Sequence, residues 1–247
     1  MTLYERYLSG ETKSVYADIE SMGHTAFSKK IFPDIENVLN ETFKRVAFNL
    51  DIIYHELVSI NYLFKKSFNY NFEMPLHKPL ADTEQLLKIL EKSLRPFGFI
   101  PQSLKTFYRI VGGCNFGWDY DTNEDYKWTY ADPIQITSLD ALISEFTDND
   151  YLADMKDEFK DEGFLAIPIS ADFYHKDNTS GGPPYALKLT QKPSIDGQFL
   201  NEENNTTFID YLRICFDNCG FSRISKPENN NDYQSFFDKV RPQLRKI

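Results

Sequence analysis

The chain has 247 residues and a mass of 28.9 kDa, 41% of them hydrophobic and 15% aromatic, enough to build a sizeable core and to set aside wholesale disorder. With 37 acidic against 27 basic side chains the formal net charge is −10. Binding to nucleic acid or to anionic lipid would therefore work against long-range repulsion, and a basic protein partner is favoured.

From the N-terminus, Leu3, Tyr7, Leu8, Val15, Ile19 and Met22 predict an apolar stripe along a helix over residues 3–22, weakened at Gly10. Leu39, Phe43, Val46, Leu50, Ile53, Leu57, Ile60 and Phe64 then alternate in steps of four and three, the seam of a helix packed lengthwise on another. Pro33 suits the first turn of that helix, and Asp34 and Glu36 complement the positive end of its dipole. Residues 1–80 are thus expected to form an N-terminal helical hairpin followed by a Pro-containing connector over 68–80. The competing reading is a homodimer through helix 33–64, with the chain acting as a regulatory scaffold.

Residues 81–247 change character and are expected to form an α+β domain. Asp82 and Gln85 make a capping-box pattern before Leu86, Leu87, Leu90 and Leu94, and a second helix runs from Pro101 through Leu104, Phe107, Tyr108 and Val111 to Gly112-Gly113. Beyond it the period shortens to two. Phe116, Trp118 and Tyr120, then Ile134 and Ile136, then residues 164–169 and 185–189 are strand candidates, with Pro168 placing its strand at an edge or bulge. Helices are expected at 139–146, 151–159, 208–219 and 233–240. This order fits a mostly antiparallel sheet flanked by helices.

The charge is concentrated. Residues 119–162 hold 14 Asp and Glu against 3 Lys, a local −11. One reading is a solvated face; the sharper one is a docking surface for a cationic protein. On that reading Asp119, Asp121, Glu124, Asp125, Asp148 and Asp150 supply charge, and Tyr126, Trp128 and Tyr130 are anchors of the residue types that dominate interfaces. Trp118 is expected in the core.

Chemistry is less well advertised. Residues 119–130 imitate the start of a calcium loop, but Glu124 stands where Gly is needed and Tyr130 where Glu is needed. Cys114, Cys215 and Cys219 lack zinc or disulfide-scaffold spacing and suit a reducing compartment. No phosphate-binding glycine loop, Gly-x-Ser-x-Gly or His-Glu-x-x-His pattern occurs. No catalytic residue, metal or cofactor is assigned. The polar loop between the strands at 164–169 and 185–189 is the one local alternative. Asp172, His175 and Asp177 there could form a metal or acid–base cluster, with Tyr174, Asn178 and Tyr185 completing a small-ligand site; otherwise these groups simply shape the turn. No run of about 20 uncharged apolar residues is present, and Met1-Thr2-Leu3-Tyr4-Glu5-Arg6 is too charged for a secretion signal. A soluble, cytoplasmic protein is expected, without membrane or nucleic-acid partners.

The string Ile100-Pro101-Gln102-Ser103-Leu104-Lys105-Thr106-Phe107-Tyr108-Arg109-Ile110-Val111-Gly112-Gly113 resembles the opening of the SUKH superfamily of Syd-, US- and Knr-like proteins, with Val111 where Asn is common. Trp118, Asp132-Pro133-Ile134, the 172–185 loop and Phe208-Ile209-Asp210-Tyr211-Leu212-Arg213 resemble its later blocks in order, so the likeness covers residues 82–221. The loop is similar to a bacterial branch named for a fungal cell-wall regulator. The resemblance implies a non-enzymatic α+β binding domain. Many bacterial members are immunity proteins that hold a toxin, often a nuclease, inactive; fungal members are signalling scaffolds. Residues 1–80 resemble no such family.

Overall fold

The computed structural model describes residues 1–65, 75–122, 128–223 and 231–247. Helix α1 (Leu3–Leu8) opens with a reciprocal capping box between Thr2 and Glu5. The helix expected over 3–22 is two helices. Gly10 takes φ +103°, a left-handed conformation that breaks the run, and α2 (Thr12–Met22) starts afresh. A 3-10 turn (Gly23–Phe27) leads into α3 (Phe32–Ser59), with Pro33 in its first turn. The Asp34 carboxylate accepts the N–H groups of Leu3 and Tyr4, fixing the start of α1 to the start of α3.

Helices α4 (Thr83–Leu94) and α5 (Gln102–Ile110) follow. The capping box expected at Asp82 does not form: Asp82 makes no side-chain cap, and the Thr83 hydroxyl donates instead to the Leu80 carbonyl at 2.8 Å. Strands β1 (Leu76–His77), β2 (Gly113–Asn115) and β3 (Gln135–Ile136) form one antiparallel sheet in that order. After α6 (Leu139–Phe146) and α7 (Asn149–Glu162), a second antiparallel sheet is built from β4 (Ala166–Ser170), β5 (Tyr185–Lys188) and β6 (Phe199–Leu200). The short α8 (Phe173–Lys176) lies between β4 and β5, and α9 (Phe208–Asp217) and α10 (Asn231–Val240) close the order. The architecture is α+β with antiparallel sheets. As Pro168 required, β4 is an edge strand, and its register breaks between Pro168 and Ser170. The Thr137 amide donates to the Ile169 carbonyl at 2.8 Å, joining the two sheets where β3 meets β4.

The strand expected through Phe116, Trp118 and Tyr120 is absent. The Gly117 amide is taken by the Asn115 side chain at 2.9 Å, and the Tyr120 amide turns back to the Trp118 carbonyl at 3.1 Å. Trp118 pairs with Phe64 only as an isolated bridge. The alternation of aromatics there reflects burial of an irregular segment, not a pleat.

The seam of α3 is covered within the chain. Leu39, Phe43, Val46, Leu50, Ile53 and Leu57 are at most 1% exposed, and Phe43 packs edge-on to Phe107 of α5 at 6.0 Å and beside Phe208 of α9 at 6.4 Å. Tyr16 of α2 bonds Thr42 at 2.8 Å. Fully buried Asn49 donates to the Arg245 carbonyl and accepts the Arg245 amide, each at 2.8 Å, strapping the C-terminal stretch across the same helix. The alternative of a homodimer through helix 33–64 therefore finds its seam occupied, because burying each of these side chains gains about 1.5–3 kcal/mol where it already sits. Among the described residues no helix is long and apolar enough to cross a membrane.

Candidate functional site

The loop between β4 and β5 is ordered by its own side chains. Asp172 caps α8, accepting the amides of Tyr174 at 2.8 Å and His175 at 3.3 Å, and its second oxygen bonds Nδ1 of His175. One turn of helix then divides its residues: Tyr174 and His175 face solvent, while Lys176 and Asp177 are buried. Gly181 closes against this turn. A Cβ there would stand 2.4 Å from Asp172 Oδ1 and 2.5 Å from Tyr174 Cβ, so only glycine fits.

Beneath the turn lies a buried polar clasp. Lys176 Nζ donates to Asp132 Oδ1 at 2.6 Å, with the two side chains 1% and 3% exposed, and lies 4.7 Å from the centre of the Tyr185 ring. The hydroxyls of Tyr185, at 3.2 Å, and Ser222 donate to the other Asp132 oxygen. Asp177 accepts the Tyr120 hydroxyl at 2.8 Å and the Tyr130 amide. Three groups distant in sequence are thereby tied together: Tyr120, Tyr130 and Asp132; Lys176, Asp177 and Tyr185; and Ser222. Burial pushes the Asp177 carboxyl above its ordinary range, with nearby Asp132 adding to the rise against the opposing bonds from Tyr120 and Tyr130. For Asp172 burial also pushes upward, but the His175 ring and the two capping amides outweigh it and hold the carboxyl below its ordinary range.

The backbone above the clasp is strained. Trp128, Tyr130 and Asp132 take φ values of +54°, +59° and +55°, a left-handed conformation that costs a non-glycine residue on the order of 1–3 kcal/mol. Such geometry persists only where its surroundings over-determine it. Here the Tyr130 amide is held by Asp177 and the Asp132 carboxylate by Lys176. The outcome is that the Tyr130 ring stands outward, 36% exposed, edge-on to Tyr174 at 6.3 Å and to Phe173 at 6.5 Å, with Tyr174 43% exposed. The Arg223 guanidinium covers the Phe173 ring at 3.7 Å and pairs with Glu203 at 3.2 Å.

Two groups of residues that looked separate in sequence, the acidic aromatic stretch and the loop, thus meet at Tyr130 and Tyr174. Other expectations are redistributed. Trp128, expected as an anchor, is 5% exposed and packs among Phe221, Tyr233 and Phe236. Trp118 is in the core, as expected. Asp119 is buried and accepts the Thr122 hydroxyl at 2.6 Å, whereas Asp121 is exposed. Glu124, Asp125 and Tyr126 lie outside the described residues. Asp148 caps α7 through the amides of Asp150 and Tyr151, and both Asp148 and Asp150 are exposed. Tyr185 is 1% exposed and serves the clasp rather than a ligand. Asn178 is exposed and takes φ +58° at the turn.

The cluster of Asp172, His175 and Asp177 does not converge. Asp172 and His175 hold each other, while Asp177 turns inward to Tyr120 and Tyr130. Among the described residues no three His, Cys, Asp or Glu side chains are grouped to hold a metal. All three cysteines are buried, and burial pushes the thiols of Cys114 and Cys219 up to about 12, so they stay protonated near neutrality. Asp132, Lys176 and Tyr120, which build the site, were not singled out for it in the sequence. The clue was a lysine set between Asp172 and Asp177 on one helical turn, a position that demands a distant counter-ion once buried.

Comparison of the chain with protein-family models, with curated proteins and with solved structures gives no match in any of the three.

Proposed function

We propose that this is a non-enzymatic binding protein of the immunity type, which acts in the cytoplasm by occluding the cationic surface of a basic, nuclease-like toxin. The observation that carries the reading is the exposed Tyr130–Tyr174 ring pair, held out on strained backbone by a buried ion pair. Rigid aromatic rings contribute contact area at little entropic cost, and a support of this kind pre-organises them before the partner arrives. The net charge of −10 and the exposed acids of α7 favour a cationic partner and speed its approach, and they disfavour nucleic acid or anionic lipid as the target. The sequence blocks that resemble the SUKH superfamily support the same choice.

The test is inhibition of a basic nuclease toxin whose gene adjoins the gene for this chain. The purified full-length protein should abolish the toxin's activity at a one-to-one ratio, with no turnover of nucleic acid by the protein itself. Undiminished toxin activity at excess protein would overturn the proposal.

A further inference from the structure

A second site is independent of the ring pair. A cavity of 470 Å³ opens where the start of α2 meets α9 and the C-terminal stretch. Five side chains lining it are cations, Lys13, Arg213, Arg241, Arg245 and Lys246, and two are carboxylates, Glu11 and Asp217. On a chain of net charge −10 this is a local reversal of sign. The cavity also adjoins a groove of 980 Å³ that shares Lys13, Arg213 and Asp217 with it and continues over Tyr16, Ile19, Phe27, Pro193 and Ile195.

Arg213 is the side chain common to both spaces, and it is only 8% exposed. Its Nε donates to a terminal oxygen of Ile247, the last residue of the chain, at 2.9 Å, Nη1 to the Asp210 carboxylate at 2.6 Å and Nη2 to the Thr12 carbonyl at 3.2 Å, above the Tyr16 ring. A guanidinium has five N–H donors, so two remain with no acceptor among the described residues. Arg213 lines the cavity, where an oxyanion could accept from these remaining N–H groups. Arg241 is held by Asp217 at 2.6 Å and Arg245 lies over the Phe48 ring, whereas Lys13 and Lys246 are exposed with no counter-ion among the described residues. The first turn of α2 borders the cavity and has no side-chain cap, which adds the positive end of a helix dipole.

We infer that this cavity binds the phosphate group of a small phosphate ester, with Arg213 at its floor and Lys13 and Lys246 at its mouth, and that the adjoining groove takes the ester's apolar organic part. Its volume lies within the range of about 300–1,000 Å³ usual for small-ligand sites. A nucleic-acid polyanion is disfavoured by the charge of the whole chain.

Calorimetric titration of the full-length protein at low salt, with phenyl phosphate and separately with inorganic phosphate, tests the inference. Saturable binding of both is expected, tighter for phenyl phosphate. The double variant Lys13→Glu, Lys246→Glu should weaken both by about tenfold or more while the melting temperature holds. Absence of saturable heat, or full affinity in the double variant, would overturn the site, and equal affinity for the two probes would overturn the role of the groove. These variants leave Tyr130 and Tyr174 untouched, so the outcome is separable from toxin binding.

Discussion

Among single residues, Asp132 and Lys176 carry the most consequence. A buried ion pair adds little net stability over an apolar pair of the same shape, but removing one partner strands the other charge away from water. Asp132→Ala should therefore cost about 3–5 kcal/mol in urea denaturation; a loss below ~1 kcal/mol, the scale of an exposed pair, would show that Lys176 reaches solvent. Acid titration separates two neighbouring carboxyls. Asp172, held below its ordinary range, contributes stability that is present above the unfolded Asp value of about 3.9 and lost as pH falls below it. Asp177, raised by burial, behaves oppositely: the folded state holds its proton more tightly, so its contribution falls as pH rises above about 3.9 and through its folded value. Asp177→Asn removes that offset, and the loss of stability between about pH 6 and about pH 3 should grow relative to the unaltered protein. An unchanged loss would mean that the Asp177 carboxyl is not raised in the folded state, and a smaller one that it is lowered. The Asp172–His175 contact was readable because three residues of sequence separate the pair. The Lys176–Asp132 pair spans 44 residues, so only the fold brings it together.

At the level of elements, α3 was legible and the segment after β2 was not, for one physical reason. Helical periodicity over 28 residues reports a single buried face, whereas alternation over five residues at 116–120 arises equally from a pleat and from a turn whose aromatics happen to be buried. Legibility also stopped at what covers a face. The seam of α3 announced that something packs on it, and the chain itself supplies α5, α9 and the C-terminal strap. Leu50→Asp should accordingly unfold the protein, costing at least the ~2–5 kcal/mol of a buried Leu→Ala change. Conversion of a folded dimer to an equally stable monomer, seen by light scattering, would contradict the intrachain seam. For α8, Gly181→Ala drives a methyl into Asp172 and Tyr174. It should cost about 1–3 kcal/mol and displace the Tyr174 ring, visible as altered protection of the α8 amides in hydrogen exchange; unchanged stability and protection would show that the loop has slack.

The molecule as a whole distributes its charge less simply than its sequence suggests. Of the acids between residues 119 and 162, Asp119 and Asp132 are buried and spent on internal bonds, whereas those of α7 are exposed. The composition did reveal a surplus of negative charge, but which carboxylates face water depends on tertiary pairing. On the proposed function, the surplus that remains outside draws in a cationic protein and the ring pair holds it. That proposed division of labour is tested most directly by measuring, with isothermal titration calorimetry, the affinity of a basic nuclease toxin encoded beside the gene for this chain for the protein and for its Tyr130→Ala, Tyr174→Ala double variant. The expected result is binding weakened by 30-fold or more, roughly the ~2 kcal/mol or greater loss of an interface anchor, with the melting temperature preserved. Full affinity in the folded double variant would contradict docking through the rings.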